Sequence, residues 1–276
     1  MRVLPYDRYQ LRYEVHGSGD RVTVLLHGIL LDANINRRLA RDLADEGNRV
    51  VLLDLLGHGL SDKPRHASAH RFDLYAMQVV ALLDELDVGQ AVIGGASLGA
   101  DVALLAAVLA PDRVRGLILE MPVLEWAVPA AATAILPILF SMHYAAPVVR
   151  FVTSAVARLP RTGVGPLDSL LNMASLDPDE IAAVLHGVLL GPIAPTLDQR
   201  RAITAPSLVI GHRADLIHPF SDAENLTRQL ANARLVPARS VVELRARPAR
   251  LTSECARFLD EVWSAPDQPA HFAGAV

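Results

Sequence analysis

Residues 95–99 read GASLG, with the apolar run AVIGGA closing on them and LGADVALLAAVLA leading away. A serine on a sharp strand-to-helix turn can serve as a nucleophile, because the turn lifts its hydroxyl clear of the sheet. Such a turn needs small neighbours where strand and helix pass close together, and Gly95 and Gly99 supply that space. The positive end of the following helix favours negative charge beside Ser97. Acyl transfer at a serine also needs two backbone N–H donors aimed at the developing alkoxide. Leu98, the residue after the serine, offers one, and LLHGI at residues 25–29 offers the other through Ile29. An ordinary glycine-rich turn carries the same five letters; the strand before it and the helix after it favour the nucleophile. His27 reads as structural.

Between these two lies DLLGHGLSDKP, residues 54–64. The series HG, then DxxGHGxSxxP, then GxSxG resembles the capped, serine-nucleophile members of the α/β-hydrolase superfamily. The resemblance runs from about Val22 to Phe258. It implies an α/β fold with a mostly parallel, eight-stranded sheet, helices on both faces and a helical lid. It also implies that His58 supports the fold, and it carries the acid of a serine triad onto Asp215, in SLVIGHRADLIHP (207–219). A carboxylate there would orient and stabilise the imidazolium formed when a histidine takes the serine proton. The alternative is a loop aspartate capping the helix that starts near Phe220. Glu120 and Glu125, after the preceding strand, are weaker candidates for the same role.

The family pattern places the histidine after the last strand, and there this chain departs from it. Residues 233–248 read ARLVPARSVVELRARP and contain no histidine. Of the residues near the expected position, Ser240 to Glu243, none does what a neutral imidazole does near pH 7. Glu243 is a base only in principle, since a carboxylate of ordinary pKa is a weak partner for a hydroxyl. The replacement candidate is His218, three residues after Asp215 on a loop expected to overhang the same sheet edge as Ser97. A surface histidine beside Pro219 is the competing account. His212 lies closer to the strand end, and His143 and His186 fall in the expected cap.

The elements that must position these groups follow from the spacing of apolar residues. Short runs rich in Val, Ile and Leu at 22–27, 49–55, 91–96, 115–120 and 207–211 alternate with helical stretches, the pattern of a parallel sheet covered on both faces. LRYEVHG near the start suggests an antiparallel pair leading in. Val79, Leu82, Leu83 and Leu86 share one helix face, 98–109 forms another helix, and a final helix runs from about Pro248 through Trp263. Between Pro122 and about Pro195 the strand pattern lapses into proline-punctuated apolar segments. This divides the chain into a core, 1–121 with 198–264, a helical cap, 122–197, and a flexible tail, 265–276. Open parallel sheets hold their ligands at the C-terminal strand edge, the edge such a cap covers.

Composition narrows the functional classes. The 276 residues, 51% hydrophobic, suffice for a continuous core, and a single cysteine, Cys255, excludes an internal disulfide framework. A net charge of −4 with interspersed signs gives no basic stripe for nucleic acid. No histidine spacing suits a metal, and GGASLG lacks the lysine of a phosphate-binding loop, so neither metal nor cofactor is expected. The first residues lack a secretory layout, which makes cytoplasm the expected location. Residues 126–149 carry no charge and are long enough for a bilayer, but Pro129, Pro137 and Pro147 interrupt them; short buried helices are expected, not a membrane span. The apolar cap could contribute to an oligomer interface. The leading function is a serine hydrolase acting on an ester, lactone or related acyl bond of a small apolar substrate. Its competitors are an inactive ligand-binding scaffold and a cofactor-free lyase or oxygenase whose oxyanion hole holds an enolate. Serine in place of aspartate at the nucleophile position disfavours a dehalogenase.

Overall fold

The computed structural model describes residues 1–266. From residue 267 on, the expected tail lies outside the described residues. The strands are β1 (Arg2–Tyr6), β2 (Tyr9–His16), β3 (Val22–Leu26), β4 (Arg49–Asp54), β5 (Ala91–Ala96), β6 (Val114–Glu120), β7 (Ser207–His212) and β8 (Ala233–Ala238). They form one eight-stranded sheet in the order β1-β2-β4-β3-β5-β6-β7-β8. β2 runs antiparallel to both β1 and β4, and every other neighbouring pair is parallel. The sheet is therefore mixed at one edge and parallel from β4 to β8.

Two-residue periodicity assigns the two faces. Val51 and Leu53 of β4 point into one apolar cluster and Val50 and Leu52 into the other; Ile93 and Val92 of β5 divide in the same way. The first cluster packs against α2 (Phe72–Glu85) and α3 (Leu98–Leu109), the second against α1 (Arg37–Asp45) and the last helix, Ala249–Ser264. Burial on both faces explains why the strands read as continuous apolar runs.

Between β6 and β7 the chain forms five helices: α4 (Ala127–Tyr144), α5 (Ala146–Ala157), α6 (Gly165–Met173), α7 (Pro178–Gly187) and α8 (Leu197–Ala202). Two glycines mark where they seat on the sheet domain. A Cβ at Gly165 would stand 2.4 Å from the Asn34 carbonyl, and one at Gly187 would stand 2.4 Å from the Ala67 carbonyl. After β7 come α9 (Phe220–Gln229), then α10 (Glu243–Ala246) beyond β8, and α11 (Ala249–Ser264).

The expectation of short buried helices over 126–149 does not hold. α4 is one 18-residue helix with Pro137 inside it, and among its residues only Ala127 is buried. Pro129 falls in the first turn, where a backbone N–H has no intrahelical acceptor to lose. Pro137 costs one ladder bond deep in the helix. The side chains of Thr133 and Ser141 donate to the carbonyls of Pro129 and Pro137, each at 2.8 Å. Asp222 caps the start of α4, accepting from the N–H groups of Leu124 at 3.1 Å and Ala127 at 2.9 Å.

Candidate active site

Ser97 follows the last residue of β5 and caps α3, with φ 54° and ψ −118°. This left-handed backbone costs a non-glycine residue about 1–3 kcal/mol and persists only when its surroundings hold it. Here they do. The Ser97 N–H donates to the Glu120 carbonyl on β6 at 2.9 Å, and the Ser97 carbonyl accepts from Ala100 N–H at 2.8 Å. A Cβ at Gly95 would meet the Gly99 backbone at 2.6 Å, and one at Gly99 would meet the His27 carbonyl at 2.8 Å. Any larger residue at either glycine would push helix from strand and move the serine.

Three side chains join in one line of hydrogen bonds. Ser97 Oγ lies 2.9 Å from His218 Nε2, and His218 Nδ1 lies 2.8 Å from Asp215 Oδ2. The other carboxylate oxygen of Asp215 accepts from the N–H groups of Ile217 at 2.8 Å and His218 at 3.0 Å. This local turn ties the ring to the backbone of its own acid. Burial raises the Asp215 pKa, but the two N–H donors and the facing imidazole outweigh it and hold the carboxyl below the ordinary range. With Asp215 ionised, His218 is fixed with its proton on Nδ1, leaving the Nε2 lone pair for the serine hydroxyl.

Leu98 opens α3, so its N–H has no intrahelical acceptor and is free to face a ligand. The loop that carries Ile29 lies against the serine: a Cβ at Gly28 would stand 3.9 Å from Ser97 Cβ. His27 is buried, with Nδ1 on the Gly28 carbonyl at 2.8 Å and Nε2 accepting from Leu55 N–H at 3.1 Å. His58 is also buried, and burial foremost, with His27 next, holds its pKa well below the usual imidazole value. Both brace β3 against the turn after β4. Asp54 braces the same turn through the N–H groups of Ala33 at 2.7 Å and Leu60 at 2.9 Å.

The other candidates are engaged elsewhere. Glu120 is buried and bonded to His212 Nε2 at 3.2 Å and Arg245 Nη2 at 2.7 Å. His212 also donates from Nδ1 to the Ser240 carbonyl at 2.8 Å. With an acceptor at each nitrogen it has no lone pair to offer. Burial lowers its pKa, but the Glu120 carboxylate foremost, with the Ser240 carbonyl, raises it overall. Glu125 pairs with Arg200 at 2.5 Å. Glu243, the other conceivable base, is held by Arg250 Nε at 2.8 Å. His143 and His186 are exposed. The Glu120–His212–Arg245 cluster escapes sequence reading because its members come from β6, β7 and α10. The one available signal is that each is a polar residue at or beyond the end of an apolar element.

A cavity of about 510 Å³ lies one residue beyond the Ile29 loop, lined by Leu30, Asp54, Lys63, Arg161 and Asn172 among others. Neither Ser97 nor His218 lines it. Among the described residues no group of three or more His, Cys, Asp and Glu side chains is arranged to hold a metal ion.

Comparison with known proteins places this geometry in a family. Residues 22–209 match the model of the alpha/beta hydrolase fold. The chain belongs to that family, whose members include many hydrolytic enzymes. Over 105 residues it is 37% identical to 2-hydroxymuconate semialdehyde hydrolase of Pseudomonas sp. (strain CF600), covering 38% of this chain and 34% of that protein. The chain spans about a third of the length of the curated relatives it matches. Among solved structures, an esterase from Thermogutta terrifontis superposes with a TM-score of 0.73 at 24% identity, covering 92% of this chain and 94% of that one. The enol-lactonase of Burkholderia xenovorans LB400 superposes with a TM-score of 0.75 at 19% identity, over 94% and 100%. At these identities the two structures speak for the fold.

Proposed function

We propose that this protein is a serine hydrolase that cleaves an ester, lactone or related acyl bond of a small apolar substrate. The observation that carries the reading is the hydrogen-bonded line from Ser97 Oγ through His218 to Asp215. In this reading His218 Nε2 takes the hydroxyl proton as Ser97 attacks the carbonyl carbon, and Asp215 stabilises the imidazolium. The N–H groups of Leu98 and Ile29 hold the oxyanion; one such donor contributes about 10²–10³-fold to turnover. His218 then returns the proton to the leaving oxygen, and water, deprotonated by the same ring, releases the acid and restores Ser97.

The inserted helices serve as the cap. Ile135, Leu139 and Met142 of α4 and Met173 of α6 turn onto the core. The hydrolase relative named above supports the same class of chemistry. A cytoplasmic enzyme without cofactor fits this reading.

The test is labelling with a fluorophosphonate probe alongside turnover of short-chain aryl esters. The native protein labels and hydrolyses, and Ser97→Ala does neither. Absence of labelling in a protein whose circular dichroism is native would sink the reading and return the chain to the class of binding scaffolds.

A further inference from the structure

The loop that carries Ile29 is gripped from the inserted helices at one residue. Asp32 follows Ile29 by three positions and is buried. Its N–H donates to Ser169 Oγ at 3.2 Å, and its Oδ2 accepts from Asn172 Nδ2 at 2.6 Å. Both partners lie on α6. Asp32 Oδ1 turns back on its own loop and accepts from Asn34 N–H at 3.0 Å. Arg161 Nε donates to Asn172 Oδ1 at 2.6 Å. A guanidinium only donates, so the amide oxygen of Asn172 faces Arg161 and its NH2 faces Asp32. One orientation of the amide satisfies both neighbours.

Between Gly28 and Asp32 the loop has few polar restraints. The Gly28 carbonyl takes His27 Nδ1 at 2.8 Å and Leu31 N–H at 3.1 Å, which closes a tight turn over Ile29 and Leu30. No hydrogen bond takes up the Ile29 N–H among the described residues, as a donor aimed at a ligand requires. Leu30 has φ 60°, a left-handed conformation that a non-glycine residue keeps only when its surroundings hold it. The nearest polar restraints are the Gly28 carbonyl on one side and Asp32 on the other. Freed at Asp32, Leu30 can relax toward negative φ, and the peptides before it turn, carrying the Ile29 N–H with them. Beyond Asp32 the core takes over, since Ala33 N–H donates to Asp54 Oδ1 at 2.7 Å. Breaking the grip of α6 therefore shifts the turn without unfolding the loop.

We infer that Asp32, Asn172 and Ser169 are positioning residues through which α6 sets the Ile29 N–H at the oxyanion, so that the seating of the inserted helices is felt in turnover. The inference rests on the serine-hydrolase reading of Ser97 and Ile29.

The experiment measures kcat and KM of the full chain on a soluble aryl ester, together with the Ile29 amide resonance in 15N-labelled protein. Asp32→Asn sets one amide NH2 against another, and Asn172→Asp sets two carboxyl groups together. Neither side chain can flip to escape, because Asn34 N–H and Arg161 hold the opposite oxygens. Each variant should lower kcat about tenfold or more with KM within about twofold, because an oxyanion donor acts in the transition state and a shift of about 1 Å costs up to about 10²-fold. The two together exchange donor and acceptor, so kcat should recover most of the loss and the Ile29 resonance, moved in the single variants, should return. Ser169→Ala is a milder break that serves where a single variant fails to fold; it should lower kcat about threefold, the scale of one neutral hydrogen bond. Arg150→Gln unties α5 from Asp177 and Asp179 without touching Asp32, and should stay within about twofold of native. Single variants at native kcat, a loss confined to KM, a double variant no better than either single one, or an equal loss in Arg150→Gln overturns the inference and leaves Ser97 as the nucleophile. A native protein that neither labels nor hydrolyses sinks the reading of Ser97, and the inference falls with it.

Discussion

Two loops at the same edge of the sheet differ in what they hold. The family pattern takes its acid from the loop after one strand and its histidine from the loop after the last. Here the β7–α9 loop carries both Asp215 and His218, three residues apart, and the loop after β8 carries neither. The β8 loop and α10 after it hold fastenings instead. Ser240 accepts from His212, Arg245 reaches Glu120, and Glu243 holds Arg250 and the Arg239 N–H. Under the proposed function, the difference teaches that the requirement on such a site is positional: an imidazole must stand between the serine and a carboxylate, and one short turn can supply both if its acid also bonds its own backbone.

The comparison can be broken at its strongest point first. His218→Ala and Ser97→Ala should each lower kcat by about a million-fold, because groups that act as a unit fail together. Ester hydrolysis under saturating substrate measures this. A His218 variant that keeps a tenth of native turnover would show that the base lies elsewhere. Asp215→Asn should cost about 10⁴-fold by leaving the ring in the wrong tautomer. It should leave KM nearly unchanged, since Asp215 touches the histidine and not the substrate.

The β8 side should respond in stability. Glu120→Gln leaves buried His212 and half-buried Arg245 without their carboxylate, and breaking a buried pair costs about 3–5 kcal/mol, read as a shift in urea unfolding. pH dependence sharpens the same point. The folded pKa of His212 lies above its unfolded value of about 6.5, so its contribution is complete below that pH and fades as pH rises through the folded pKa. Glu120 acts in the opposite sense, with a folded pKa below the unfolded value of about 4.3 and a contribution lost as pH falls through the folded pKa. Unfolding curves at pH 5.5 and 8.5 should therefore show a loss at the higher pH that His212→Asn abolishes. The smallest effect belongs to Glu243→Gln, which should leave turnover within about twofold of native, because this side chain fastens a loop and meets no reacting atom. A larger fall would return catalytic duty to the β8 side.

Much of the fold was legible. AVIGGA, residues 91–96, forms β5 over those same residues, and the apolar runs of β3, β4, β6 and β7 each differ from their strand by one residue at one end, because continuous Val, Ile and Leu suit an element that buries both faces. The cap region was less so. Prolines and apolar letters suggested short buried helices, yet α4 is long and buries only Ala127 fully while packing one side on the core, since apolar composition does not say which surfaces the chain will find to cover it. The Glu120–His212–Arg245 cluster was invisible for a related reason, being assembled from three elements spread over 126 residues of chain.

For the site, the sequence by itself determined the turn. Gly95, Ser97 and Gly99 between strand and helix permit few other backbones, because helix and strand must pass within van der Waals contact there. It also put an aspartate after β7 and withheld a histidine after β8. Only the tertiary structure decided which imidazole meets the serine. His218 and Ser97 are 121 residues apart, and their 2.9 Å contact depends on β5, β6 and β7 lying side by side and on the Asp215 turn folding its loop back over them. No local preference encodes that distance; it is set by sheet order and by a carboxylate that must satisfy its own backbone.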